Sequence, residues 1–301
     1  MREKLISDGY ALPFNFAGLP TEFSSWEDSQ VVILPIPYDL TTSFQAGGRF
    51  GPQAILEASS QIELFDDELG LEPYTIGVHT LPSLEPIASG PEAMGTRIES
   101  VVQEILAAGK FPLTLGGDHS ISIGVINAFS HEFKDLTVVQ LDAHADLRDH
   151  YQGTSWSHAC VGRRATEHAT LKQIGIRSFS TEEAAFMDDS KVTTIYAREI
   201  QENLTPALAA LNEIETPVYL TVDVDVFDPS IMPSTGTPEP GGLDWYAVLK
   251  IIRYLFENHR VIGADVVELS PIGGLKAPDF LVAKLVYKLI GYLHATNENR
   301  R

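Results

Sequence analysis

The chain has 301 residues, 44% of them hydrophobic, with a mean hydropathy of zero, which excludes a disordered or membrane-embedded protein and allows one large α/β core. Acidic residues outnumber basic ones 41 to 21, for a net charge of -20, a field that opposes nucleic acid and anionic membrane and attracts cationic substrates. Cys160 is the single cysteine, so no intrachain disulfide forms; with no signal peptide or membrane span evident, the cytoplasm is the expected compartment.

Residues 1–30 read as an extension ahead of a first strand at 31–35. A Gly- and Thr-rich loop (38–51) leads into a helix over 51–62, with Pro52 in its first turn. A long amphipathic helix over 91–108 precedes a strand at 111–115, and a helix over 120–129 starts directly after it. Further strands are predicted at 136–141, 172–176, 193–196, 217–222 and 261–269. Helices are predicted at 181–188, 206–213, 243–257 and 277–293. This alternation predicts one mostly parallel sheet with helices on both faces, whose ligands lie outside the carboxyl ends of the strands.

Three motifs fall at such ends: GGDHS (116–120), DAHAD (142–146) and DVDVFDP (223–229). Each follows a short apolar run typical of a strand covered on both faces. Alternation along an extended chain would turn Asp142, His144 and Asp146 to one side, and likewise Asp223 and Asp225. Asp118 or Ser120 would cap the helix after GGDHS. A lone GGDHS or DxD says little, but the three together are specific. Four carboxylates and two imidazoles, with His119, would repel one another unless cations sat between them. The chain reads as a two-metal enzyme.

With SHAC (157–160), TGTPEPGGL (235–243) and ELSP (268–271), these motifs resemble the ureohydrolase family over about residues 30–290. The resemblance implies an arginase-like, three-layer α/β/α fold, with one domain over 1–301 and residues 1–30 packed on it as an extension. It also implies hydrolysis of a small cationic guanidine with two Mn²⁺ per subunit, in a homotrimer or homohexamer. Carried over position by position, one Mn²⁺ would take His119, Asp142, Asp146 and Asp223. The other would take His144, Asp142, Asp223 and Asp225. The resemblance also gives Asp146 a catalytic role in aiming the nucleophile, Glu268 the guanidinium, His158 the proton for the leaving amine, and Thr237 a contact with substrate or product. The O- and N-donor set itself suits Mn²⁺ better than Zn²⁺. Two dications against four aspartates, a hydroxide and Glu268 leave the site near -2, which favours a cationic substrate.

The stretch 175–180 carries serines where arginases have carboxylates, and TGTPEPGGL is more like agmatinases. Agmatine is therefore the expected substrate, followed by N1-aminopropylagmatine, and then 4-guanidinobutyrate or arginine. Asp149, Glu182 and Glu183 are candidates for a distal amine; Arg148 or Arg177 would serve a distal carboxylate. A phosphoesterase lacks its phosphate-cradling loop here, and Glu268 would repel the anion. A ligand-binding regulatory paralogue should have lost metal ligands, and no ligand position is lost. Nothing marks Cys160 as a nucleophile.

Overall fold

The computed structural model describes residues 13–299. Eight strands, β1 (Val31–Ile36), β2 (Val78–Thr80), β3 (Phe111–Gly116), β4 (Thr137–Leu141), β5 (Thr170–Ile176), β6 (Val192–Tyr196), β7 (Val218–Asp223) and β8 (Val261–Val267), form one sheet in the order β2-β1-β3-β8-β7-β4-β5-β6. Every neighbouring pair is parallel. Strands β1, β4, β7 and β8 are buried along their whole length, which is why their sequences are mostly apolar rather than alternating, with buried polar exceptions such as Gln140, Thr221 and Asp265.

Nine helices cover the sheet: α1 (Gly51–Ser59), α2 (Pro91–Ala107), α3 (Ile121–Glu132), α4 (Val161–Ala165), α5 (Thr181–Phe186), α6 (Ala197–Glu202), α7 (Thr205–Asn212), α8 (Trp245–Asn258) and α9 (Ala277–Asn299), among the described residues. Alternate strand residues feed two separate cores. Val31, Ile33, Leu113 and Val139 pack with α1, α7, α8 and α9; Val32, Leu34, Val138 and Tyr219 pack with α2, α3 and α4. The result is the three-layer α/β/α arrangement.

Strands β3, β8, β7 and β4 stand side by side at the centre. From the adjacent strands β4 and β7 the chain leaves in opposite directions, to β5 and to β8, so their carboxyl ends flank a topological switch point. Residues 1–12 of the expected extension lie outside the described residues. Beyond them, Phe16, Ala17 and Leu19 are buried, and Ala17 N–H donates to Ser59 Oγ at the end of α1 (2.8 Å).

Some boundaries differ from expectation. Strand β8 stops at Val267 rather than 269, because Glu268 takes a left-handed conformation (φ +68°) that no ladder accommodates. The three-residue edge strand β2 and the short helix α6 were not predicted, being too short to carry a period. Helix α8 starts at Trp245 because the Asp244 carboxylate caps it, accepting from Ala247 N–H (2.8 Å).

Candidate active site

The six predicted Asp and His side chains meet at the carboxyl edge of the central strands. His119 Nδ1 lies 3.1 Å from Asp142 Oδ2 and 3.3 Å from both Asp146 Oδ2 and Asp223 Oδ2. His144 Nδ1 lies 2.9 Å from Asp225 Oδ2 and 3.7 Å from Asp142 Oδ1. Two groups suited to a cation result, His119–Asp142–Asp223 and Asp142–His144–Asp225, sharing Asp142. The convergence does not come from strand alternation. Strand β4 ends at Leu141, and the chain then bends, with Asp146 at φ +51°.

Local hydrogen bonds aim the carboxylates instead. Asp142 Oδ1 accepts from His144 N–H (2.6 Å), Asp223 Oδ1 from Asp225 N–H (2.9 Å), and Asp225 Oδ1 from Ala143 N–H (2.9 Å). Each holds one oxygen on backbone and turns the other toward an imidazole. Gln173 donates to Gln140 Oε1 (2.8 Å), and Gln140 donates to Asp142 Oδ2 (2.7 Å), bracing the shared carboxylate from β5.

The tautomer of His119 is set by a buried relay. Its Nε2 lies 2.8 Å from Thr221 Oγ1, whose hydroxyl donates to Asp265 Oδ1 (2.6 Å). Ser122 Oγ (2.7 Å) and the Tyr219 hydroxyl also donate to Asp265 Oδ2. Thr221 has spent its proton on Asp265, so it accepts from His119 Nε2–H. In the neutral ring that leaves Nδ1, buried and without a hydrogen-bond partner, as a lone pair facing three carboxylates, which against the effect of burial raise the ring's pKa well above its ordinary value. Such an atom calls for a cation, so the residues fit a metal pair.

The electrostatics agree. Burial would depress His144, but Asp225 and Asp142 push it up to about 12. Burial and then Asp142 push the Asp146 carboxyl up to about 7. Burial, then Asp225 and Asp142, hold Asp223 well above the usual carboxylate range; burial, then Asp118, do the same for Glu268. This density of acid is stable as carboxylate only beside positive charge.

A cavity of about 250 Å³ opens onto the cluster, lined among others by His144, Asp146, Tyr151, His158, Glu183 and Thr237. His158 sits in the turn before α4, and burial lowers its pKa, keeping the ring neutral at neutral pH. Glu268, behind the cluster, donates its N–H to Gly117 O (2.7 Å), and its Oε1 accepts from His119 N–H (2.7 Å). A methyl on Gly236 would stand 3.2 Å from Glu268 Oε2, so the turn carrying Thr237 closes on that carboxylate.

Of the three candidates for a distal amine, only Glu183 lines the cavity. Asp149 is tied to Arg164 (2.7 Å) and His150, and Glu182 is exposed on the first turn of α5. Arg177 is consumed by the carbonyls of Gly175, Asp225 and Glu239, which leaves Arg148 as the cavity's arginine. The Cys160 thiol is buried and pushed up to about 11 by that burial, so it is no nucleophile.

The Arginase family model matches residues 29–291. The chain belongs to the arginase family. It is 41% identical to the N(1)-aminopropylagmatine ureohydrolase of Synechocystis over 296 residues, covering 93% of this chain and 96% of that one. It is 32% identical to the agmatinase of Pyrococcus horikoshii, covering 88% and 92% respectively. Among solved structures, the agmatine ureohydrolase of Thermoplasma volcanium superposes with a TM-score of 0.88 at 30% identity, over 98% of this chain and 99% of that one.

Several residues of this ureohydrolase site escaped sequence reasoning. Thr41, Thr221 and Asp265 reach it from distant segments. Glu239 lies 3.8 Å from His144 Nε2 and accepts from Ser178 Oγ (3.0 Å). Asp118 does not cap α3 in the simple sense expected: its Oδ1 accepts from Ser120 N–H and Oγ, but its Oδ2 crosses to Thr41. The available signal was a charged residue, Asp265, inside the apolar run of β8. A buried acid in a parallel strand needs donors, and here these include Thr221 and Tyr219.

Proposed function

We propose that this ureohydrolase cleaves the guanidino group of a guanidine that ends in an amine, N1-aminopropylagmatine first and agmatine second, releasing urea with spermidine or putrescine. The Asp/His cluster opening onto the cavity carries the chemistry. The order of the two substrates is the reverse of the sequence expectation. It is supported by relatives at 35–41% identity, named as N(1)-aminopropylagmatine ureohydrolases. Within the same proposal the chain acts as one domain, in the cytoplasm, in a trimer or hexamer.

His119, Asp142, Asp146 and Asp223 would hold one Mn²⁺, and His144, Asp142, Asp223 and Asp225 the other. When bound, the pair supplies hydroxide at neutral pH by lowering the pKa of water. Asp146, lining the cavity, accepts the nucleophile's proton at a carboxylate oxygen and so aims its lone pair. Glu268 pairs with the guanidinium and, with Thr237, holds its carbon in place, a proximity effect. His158 gives a proton to the amine nitrogen as the C–N bond breaks. Of the acids lining the cavity, Asp146 faces the cluster, while Glu183 is buried, accepts from Leu147 and Ser180 N–H (3.1 and 2.7 Å) and lies 3.7 Å from Arg148. The substrate's far end is therefore read from the relatives rather than from this wall.

The test is urea release by Mn²⁺-loaded protein from N1-aminopropylagmatine, agmatine, arginine and 4-guanidinobutyrate in parallel. The expected result is turnover of the two amine-ended compounds, with kcat/KM higher for the aminopropyl one. Urea from arginine or guanidinobutyrate alone would overturn the substrate assignment and give Arg148 a carboxylate to bind.

A further inference from the structure

Asp118 is fully buried and gathers four donors. Its Oδ2 accepts from Thr41 N–H and Thr41 Oγ1 (both 2.8 Å); its Oδ1 accepts from Ser120 N–H (3.1 Å) and Ser120 Oγ (2.5 Å). Burial raises the Asp118 pKa, and its four donors oppose that rise; as the carboxylate they favour, it is an acceptor only, so the Thr41 hydroxyl proton points at Asp118. Thr41 Oγ1 then has only lone pairs to offer elsewhere. One accepts from His158 backbone N–H (3.0 Å), and the same oxygen lies 3.2 Å from His158 Nδ1. That second approach is attractive only if Nδ1 carries a hydrogen. Ser157 Oγ, 3.3 Å away, presents another oxygen to the same N–H. Tyr151 meets the ring edge-on at 87°, with centroids 5.7 Å apart, which fixes its plane. Nε2 has no hydrogen-bond partner among the described residues, and the ring lines the cavity beside His144 and Asp146.

We propose that Thr41 and Asp118 are positioning residues for His158, locking its neutral ring as the Nδ1–H tautomer so that Nε2 alone handles the leaving-group proton. This rests on His158 being the proton donor of the reaction. At the step in question the scissile C–N bond breaks, its electron pair stays on the amine nitrogen, and that nitrogen takes the Nε2 proton. His158, neutral at rest, first takes that proton at Nε2 from the water that becomes the nucleophile; giving it to the amine returns the ring to the neutral Nδ1–H imidazole. Without the Thr41 oxygen, only Ser157 Oγ, a hydroxyl that can donate as well as accept, remains beside Nδ1, and the tautomer is no longer held. A ring protonated at Nε2 presents an N–H to the cavity when neutral, and cannot collect the next proton there.

The experiment combines nitrogen NMR of histidine-labelled protein loaded with Mg²⁺, which unlike Mn²⁺ is diamagnetic, with steady-state kinetics of the Mn²⁺-loaded protein, for the wild type, Thr41→Val and Thr41→Ser. His158 is assigned by the signal lost in His158→Gln. The expected wild-type ring is Nδ1–H. Thr41→Val should move it toward Nε2–H and lower kcat about 100-fold, the scale of general acid catalysis, with KM within about twofold. Thr41→Ser, which keeps the hydroxyl, should restore both. A wild-type ring found as Nε2–H overturns the proposal without any variant, and so does a Thr41→Val protein that keeps its kcat. Full activity in His158→Gln would overturn the proton-donor assignment and the positioning claim with it, whereas a wild-type Nε2–H ring in an enzyme that needs His158 would overturn the positioning claim alone.

Discussion

Glu268 carries a local cost for its place. A non-glycine residue at φ +68° is strained by about 1–2 kcal/mol, and its carboxylate is buried as well. Its backbone N–H on Gly117 O and its Oε1 on His119 N–H hold it there. Replacing Glu268 with Gln keeps the shape and an acceptor for His119 but removes the charge that meets a guanidinium. Kinetics and metal analysis of this variant should give kcat/KM lower by about 100-fold at unchanged metal content. Unchanged kcat/KM would remove Glu268 from the substrate site. At this scale, residue type and spacing made the six Asp and His side chains legible. The reason they converge was not, since Asp142 to Asp146 leave the extended conformation, and the carboxylates are aimed by short-range backbone bonds together with one long-range bond, Ala143 N–H to Asp225. Thr41 was invisible because its partners, Asp118 and His158, lie 77 and 117 positions along the chain.

The turn that ends β3 has to pass very close to the loop after β1. A Cβ on Gly117 would sit 1.9 Å from Tyr38 O, the carbonyl that accepts from Asp118 N–H (2.8 Å). Gly117→Ala therefore forces the two segments apart, and it moves Asp118 and His119 together. The expected outcome is a loss of about 3 kcal/mol of stability, as for overpacking a rigid core, with weakened metal binding. Chemical denaturation and metal titration would check it; a variant of native stability would mean that the turn is free to shift. The long elements were legible because each is an apolar run or a wide amphipathic stripe. The ends of elements were less so: where β8 stops and α8 starts depends on one backbone angle and one cap.

Over the whole molecule, the charge of -20 and the concentration of buried acid at one edge pull in the same direction. Cations bound by the folded state and not by the unfolded chain stabilise it by mass action, by about 2.7 kcal/mol at one hundred times the dissociation constant. Chelation should thus lower the thermal midpoint. Added monovalent salt should recover part of the loss by screening the exposed acids. A midpoint indifferent to chelation would argue against cations in the cluster. Fold class was legible at this scale from the alternation of strands and helices. Strand order was not, because neighbours in a parallel sheet are chosen by crossovers that leave no local pattern.

That order has a consequence for how the protein is made. Strand β8, the last to leave the ribosome, belongs in the middle of the sheet between β3 and β7. Until it arrives, the nascent chain holds two half-sheets with bare inner edges, one bearing His119 and the other bearing the aspartates from 142 to 225. Such edges invite pairing with other chains. Joining His119 to the aspartates is therefore a late event in biosynthesis, and a polypeptide terminated before β8 has neither a joined sheet nor the full site, although the Asp142–His144–Asp225 group lies wholly on one half.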